Sequence, residues 1–439
     1  MIKILDGLKY LYKNNSIALA VKLGVIGLMP YQVFGQSSLI KALNENIIPL
    51  KSVEVSADFI DKNSINEVFE NKNIVLLGEA THGTHEFFSM KQNIIQFLIK
   101  ERGFRNFVIE ADFVGSVAMN DYIVEGKGNI NNALKRMSIG VWINQDFKRL
   151  IEWMKDFNLT QSAENKIKFY GCDMQFAINS AEMLLSGKLK LKTTLTPSAM
   201  KGLKTMINYS YGQIEKSELE NVNALEYELK MASIDENVTE NVTLFSHYLE
   251  NILQTIMYSK TKYLHDKDII RDKKMAENFE WIHNLDNKRK TIVWAHNLHV
   301  AKNSTRNNNL PMGYYIKQKH PSETYIIGFG FNNGSFNAYN ENTKKYGECK
   351  TESVTSEKSV ELIFSNCMSP NFFLDFETSK GNQLINKFLN ERRESRGIGG
   401  SYNPSKQSAG GGGANKPLNT MYDGFIFINT TTMVIPSLN

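Results

Sequence analysis

The sequence predicts an α/β fold: a mostly parallel central sheet flanked by helices. Three observations predict it. Short runs of branched and aromatic residues end in Gly or polar residues, long amphipathic segments lie between them, and in one place run, segment and run succeed one another at the spacing of a βαβ unit. The chain has 439 residues, 42% hydrophobic and 22% charged, enough for two or three domains or for one large domain with an insertion.

Taken in order, residues 1–35 read as a leader. Lys3, Lys9, Lys13 and Lys22 precede the apolar Leu23–Met29, Pro30 follows, and cleavage is expected near Gly35. Lys22 interrupts the apolar stretch, so a cytosolic amphipathic helix is the alternative. The expected location is accordingly periplasmic or secreted, with cytoplasmic as the other reading. Ile74–Leu77 is the first strand, ending at Gly78. His85–Arg102 places Phe87, Met90, Ile94, Phe97 and Leu98 at helical spacing, with Gly103 as its C-terminal cap, and Phe107–Ile109 is the second strand. A crossover through a helix makes the two strands parallel.

Ile167–Tyr170, Ile292–Ala295, Thr324–Phe329 and Gly424–Ile428 repeat the strand pattern, and Asp146–Asn158 and His265–Leu285 repeat the helical one. About 179–262 carries helical spacing and little strand signal. Both its ends return to the same sheet, so it is expected as a cap or lid inserted in one domain spanning 36–439. Gly397, Gly399, Gly400 and Gly410–Gly413 make 396–416 read as a mobile loop, either plain surface or an active-site flap.

Charge and cysteines exclude several classes. The 51 Lys+Arg against 46 Asp+Glu give +5, of which the four lysines and single Asp6 of the leader supply +3. No basic stripe remains for a nucleic acid. Cys172, Cys349 and Cys367 have no CxxC spacing, which removes thiolate zinc and thioredoxin-type chemistry; Cys349 with Cys367 is the one bridge open to an exported protein. After the leader no segment approaches the roughly 20 apolar residues of a membrane span.

In open parallel sheets ligands bind beyond the carboxyl ends of the strands. Here those ends are rich in acids and histidines. The first runs into Gly78-Glu79-Ala80-Thr81-His82-Gly83-Thr84-His85-Glu86, the second into Glu110-Ala111-Asp112, the third into Gly171-Cys172-Asp173 and the fourth into His296-Asn297-Leu298-His299. Parallel strands bring all of these to one edge. The G-x-S-x-G elbow, HExxH and GxxxxGK[ST] motifs are absent. Two chemistries remain: a histidine base, oriented by Glu79 or Glu110 and acting on water, or a metal site drawn from His82, His85, His296, His299 and Glu110. Spacing alone does not separate them.

The run Leu77-Gly-Glu-Ala-Thr-His-Gly-Thr-His-Glu86, with Glu110 after the next strand and Ala295-His-Asn-Leu-His299 downstream, resembles the erythromycin esterase family. Gly171-Cys-Asp173, the Arg271-Asp272…Met275-Ala-Glu-Asn278 helix, Met312-Gly313 and Tyr325-Ile-Ile-Gly-Phe329 extend the resemblance to about 50–430. It implies an enzyme that hydrolyses the macrolactone ester of macrolide antibiotics, with a histidine activating water and no obligatory metal; no other cofactor is expected. His82 falls on the general base, Glu79 and Glu110 on the essential carboxylates, and His296 and His299 on the downstream pair. Family members often carry arginine nine residues after the base, where this chain has Lys91, which keeps the charge and loses the planar fork. Lys91, His85, Glu86, Asp173 and Arg271 are the residues expected around a small-molecule substrate, with His296, His299 or Arg271 as the candidate for the carbonyl oxygen. Two other readings stay open: a metal-dependent hydrolase of another small ester, and a non-catalytic exported protein that binds a small molecule.

Overall fold

The computed structural model describes residues 37–209, 213–235, 242–285, 288–304, 309–407 and 412–437. The expected leader, 1–35, and residues 408–411 of the expected loop 396–416 lie outside them. In chain order the strands are β1 (Ile48–Pro49), β2 (Ile74–Leu77), β3 (Asn106–Asp112), β4 (Lys168–Asp173), β5 (Thr291–Trp294), β6 (Thr324–Asn340), β7 (Lys345–Thr351), β8 (Asn371–Asp375), β9 (Arg393–Arg396), β10 (Ser401–Tyr402), β11 (Gly412–Lys416) and β12 (Gly424–Thr431). The main sheet runs β1-β8-β12-β6-β2-β5-β3-β4, with β7 and β10 added to β6.

Why β2 is central follows from its sequence. Ile74, Val75, Leu76 and Leu77 are all buried, and successive side chains go to opposite faces: Ile74 and Leu76 to one core, Val75 and Leu77 to the other. Such a strand needs cover on both sides. Helix His85–Arg102, through Phe87, Met90 and Ile94, covers the second face with helix Gln145–Leu159, through Phe147, Leu150 and Met154. Helix Leu264–Leu285, through Met275, Phe279 and Ile282, covers the first. Gly103 ends its helix as the sequence predicts, at φ 72° with its N–H on the Leu98 carbonyl. Asn144 caps the helix that follows, accepting from the Phe147 N–H at 2.8 Å.

The parallel run β12-β6-β2-β5-β3-β4 confirms the predicted class. Two antiparallel strands go beyond the prediction. β8 pairs antiparallel with β12 and β1, and β7 with β6. β7 carries Lys345, Glu348 and Lys350 on an exposed edge, where charge discourages further pairing and also hides the strand from a hydrophobic pattern. In the segment expected as a mobile loop, 396–416, the described residues include paired stretches: β9 with β11, antiparallel, and β10 with β6, parallel. Gly413 fits close backbone packing, since a Cβ there would meet the Ser395 carbonyl oxygen at 2.2 Å.

Within 179–262 the described residues form helices Ile178–Leu185, Pro197–Asn208, Leu219–Met231 and Val242–Lys260, joined by one isolated bridge, Leu191 with Ile234. The three cysteines are free and buried, so Cys349 and Cys367 form no bridge. Among the described residues no helix is long and apolar enough to cross a membrane.

Candidate functional site

Four parallel strands deliver the predicted residues to one edge. Glu79 and His82 follow β2, Glu110 lies near the carboxyl end of β3, Asp173 ends β4, and His296 and His299 follow β5. Gly78 makes the junction possible. A Cβ there would lie 2.2 Å from Asn297 Oδ1, whose amide instead bonds the Phe329 backbone on β6, donating to its carbonyl at 2.6 Å and accepting from its N–H at 3.1 Å. Asn297 so ties the loop after β5 to β6 across the end of β2.

His82 is held from one side. Its Nδ1 lies 2.6 Å from Glu79 Oε1. An ionised carboxylate only accepts, so the neutral ring carries its proton on Nδ1 and leaves the Nε2 lone pair open. That nitrogen has no hydrogen-bond partner among the described residues, and the side chain keeps 13% exposure. Glu79 is itself fully buried. Its Oε2 accepts from Lys91 Nζ at 2.5 Å and from Trp294 Nε1 at 2.8 Å. Burial works against its charge; the Lys91 ammonium and His82 outweigh burial and hold the carboxyl down to about 2. Lys91 Nζ lies 4.2 Å from the Trp294 ring centroid, and burial pulls its ammonium down to about 8 against the attraction of Glu79.

The other side is organised by Arg271. Its Nε and Nη2 engage Asp173, Nη2 also donates to Glu110 Oε1 at 2.7 Å, and Nη1 lies 2.9 Å from His299 Nε2. His299 Nδ1 faces Asp272 Oδ1 at 2.8 Å, and Asp272 Oδ1 also accepts the Met312 N–H at 2.9 Å. A guanidinium always carries hydrogens, so this arrangement requires Nε2 to accept and Nδ1 to donate. Burial opposes a second proton on His299, but the Asp272 and Glu110 carboxyls outweigh it and raise the ring's proton affinity. Such a proton would face Glu110 Oε1, 3.5 Å away, and would break the bond to Arg271. Glu110 is held well below the usual carboxylate range: its burial is outweighed by His299, Arg271 and His82.

His296 joins the two sides. Its backbone N–H donates to Glu110 Oε2 at 2.8 Å, and its ring centroid lies 5.0 Å from that of His82. Nδ1 accepts the Leu298 N–H at 3.2 Å, which leaves the ring proton on Nε2, 3.4 Å from the Ala80 carbonyl. Burial and the neighbouring His82 push this imidazole down to about 3, so it stays neutral across the physiological range and can donate but not take up a proton.

The structure therefore gathers His82, Glu79, Glu110, His296, His299, Asp173, Arg271 and Lys91 into one network, with roles that differ from some expectations. Lys91 has no exposed surface to offer a substrate, because it is spent on Glu79. Arg271 has three of its nitrogens committed to protein partners rather than to a carbonyl oxygen. His85 and Glu86 are engaged elsewhere. His85 holds Asp146 at 2.8 Å through Nδ1 and Glu54 at 3.2 Å through Nε2, and these contacts push its imidazole up to about 9. Buried Glu86 accepts both the backbone N–H and the hydroxyl of Thr432. Asp272 and Trp294 take parts that the sequence reading did not assign; the Arg271-Asp272 dipeptide was visible only as a motif. Among the described residues no group of three or more His, Cys, Asp and Glu is disposed to hold a metal ion.

Comparison with known proteins identifies the family and the fold. The family model described as Erythromycin esterase matches residues 99–431. The Bacillus subtilis (strain 168) protein YbfO, which carries a hydrolase name, is 25% identical over 355 residues, 73% of this chain and 78% of its own. Erythromycin esterase type II of Escherichia coli is 24% identical over 385 residues, 75% of this chain and 86% of its own. A solved Bacillus cereus structure superposes with a TM-score of 0.75 at 22% identity, covering 91% of this chain and 99% of the other, which shows a shared fold.

Proposed function

The chain belongs to the erythromycin esterase family and is a hydrolase, and from that premise we propose that it cleaves a carboxylic ester, the macrolactone of a macrolide antibiotic, by general-base activation of water at His82. The observation that carries this reading is the open Nε2 of a histidine whose other nitrogen is fixed 2.6 Å from a buried, ionised Glu79.

Water bound at Nε2 loses its proton to His82 as its oxygen forms a bond to the ester carbonyl carbon. Glu79 stabilises the imidazolium, a role worth roughly 10²–10⁴ in rate for a positioned base. The charge that develops on the carbonyl oxygen meets the neutral His296 Nε2–H, a donor that costs no proton of its own. When the C–O bond breaks, the imidazolium returns its proton to the leaving alkoxide, so acid and alcohol products form and no enzyme-bound acyl group accumulates. Glu110, through the His296 backbone, holds that donor in place. Arg271 in turn fixes Glu110, Asp173 and His299 in one geometry. The helices within 179–262 would cover the edge as a cap, and the lysine-bearing leader would export the enzyme.

The test is mass spectrometry of erythromycin incubated with purified protein. The expected product is heavier by one water, abolished by His82→Ala and unaffected by chelators. An unchanged macrolide, or full turnover by the His82→Ala variant, would overturn the reading.

A further inference from the structure

The glycine-bearing segment after β9 is a sequence feature that the proposed chemistry leaves unused. Its two ends are anchored. Arg396 pairs with Gly412 and its N–H donates to the buried Glu361 at 2.7 Å, while the Gly400 carbonyl accepts from the Tyr339 N–H at 2.9 Å, just before β10 pairs with β6. Between these anchors Ile398 is fully buried, and its N–H donates to the Ala80 carbonyl at 2.6 Å. Ala80 sits between Glu79 and His82, and its carbonyl is the same oxygen that His296 Nε2 approaches at 3.4 Å.

One acceptor thus faces two donors, and the bond lengths divide it unequally. The Ile398 N–H takes the short bond; the His296 N–H is left with a long, weak one. We propose that Ile398 is a positioning residue: its backbone N–H occupies the Ala80 carbonyl and thereby keeps the His296 Nε2 proton available to the substrate oxygen. This rests on the ester-hydrolase reading above. Remove the Ile398 N–H, and among the described residues the buried Ala80 carbonyl has one donor left, the imidazole. His296 then closes the gap, and the proton meant for the developing oxyanion is spent on the protein. Gly399 and Gly400 have open space where a Cβ would lie, so close packing of the loop's own backbone does not explain these glycines.

The experiment compares variants that keep the N–H with variants that lack it. Ile398→Val and Ile398→Ala retain it. Ile398→Pro removes it, and where proline disturbs folding, the α-hydroxy acid analogue of isoleucine at 398 removes it with the side chain intact. Folded variants are assayed on erythromycin and on 4-nitrophenyl butyrate, and the His296 Nε2–H signal is followed by ¹⁵N-resolved NMR. Loss of the N–H is expected to lower kcat by roughly 10-fold, part of what an oxyanion donor is worth, with KM within two-fold. It should also move the His296 Nε2–H signal downfield as its bond to Ala80 shortens. Ile398→Val should match the wild type in both. Equal kcat losses for Ile398→Ala and the N–H-deficient variants would show a packing role only and overturn the proposal. An unmoved His296 signal would overturn it even if the wild type hydrolysed neither ester, a result that by itself counts against the ester-hydrolase reading instead.

Discussion

His82 and His299 look alike from one side. Each ring presents Nδ1 to a carboxyl oxygen, at 2.6 Å from Glu79 and 2.8 Å from Asp272, and the two stand at the ends of neighbouring strands of one sheet. They differ at the other nitrogen. His299 Nε2 faces Arg271 at 2.9 Å, whereas His82 Nε2 has no hydrogen-bond partner among the described residues. The comparison teaches that a histidine–carboxylate pair does not define a base; what lies on the second nitrogen does. A cation there turns the same pair into a positioning element. The carboxylates are treated differently too: Glu79 is neutralised from within by Lys91, while Glu110 and Asp173 share Arg271.

Breaking each half in turn tests the distinction. The largest effect is expected from His82→Ala, a loss of kcat/KM of roughly 10³-fold or more on an accepted ester, with the fold intact by circular dichroism. A comparable loss from His299→Ala with His82→Ala near wild type would reverse the assignment. Next comes Lys91→Met, which leaves Glu79 buried without its counter-charge. Activity should fall to the level of His82→Ala, and urea unfolding should show a loss of about 3–5 kcal/mol, the usual cost of orphaning one partner of a buried pair.

Lys91 also sets a pH dependence. Its ammonium is pulled down to about 8, so below that pH Glu79 keeps its partner. As pH rises through about 8 the proton leaves, the pair is broken, and kcat/KM should decline. Lys91→Arg, whose charge does not titrate there, should lack this alkaline limb. A smaller effect, on the order of 10-fold in kcat, is expected from Asp272→Asn, since His299 only positions its neighbours. The smallest sits outside the network. His85 is raised to about 9 by Asp146 and Glu54, against burial. Its contribution is therefore full below its unfolded value near 6.5 and disappears as pH rises through about 9. His85→Gln should cost about 1–2 kcal/mol at pH 6 and nothing measurable above pH 9.5, with activity at pH 7 unchanged.

The comparison also shows what a sequence reveals and what it hides. The strand ends were legible because β2, β3 and β5 each hold a short apolar run, Ile74–Leu77, Phe107–Ile109 and Ile292–Trp294, broken by polar residues, and parallel pairing then brings distant loops together without further information. Gly103 was legible because a left-handed cap leaves few other choices of residue. Lys91 stood out only through the family resemblance, and there as a substrate contact. A lysine followed by Gln92 and Asn93 gives no sign of burial, yet all three are buried here because the helix packs against strand ends that carry their own polar groups. Asp272 was hidden for the same reason, one residue from an arginine on a helix rich in charge. β7 and β9 were missed because their pairing is settled by backbone bonds to β6 and β11 rather than by apolar alternation.

The claim that one imidazole has a free nitrogen and the other does not can be read directly by ¹⁵N NMR of the histidine rings. For the neutral His82 ring the account predicts a protonated Nδ1 and an Nε2 with the shift of an unbonded lone pair, while His299 Nε2 shows the shift of a nitrogen that accepts a hydrogen bond. A His82 ring protonated on Nε2, or an Nε2 as fully bonded as that of His299, would contradict it.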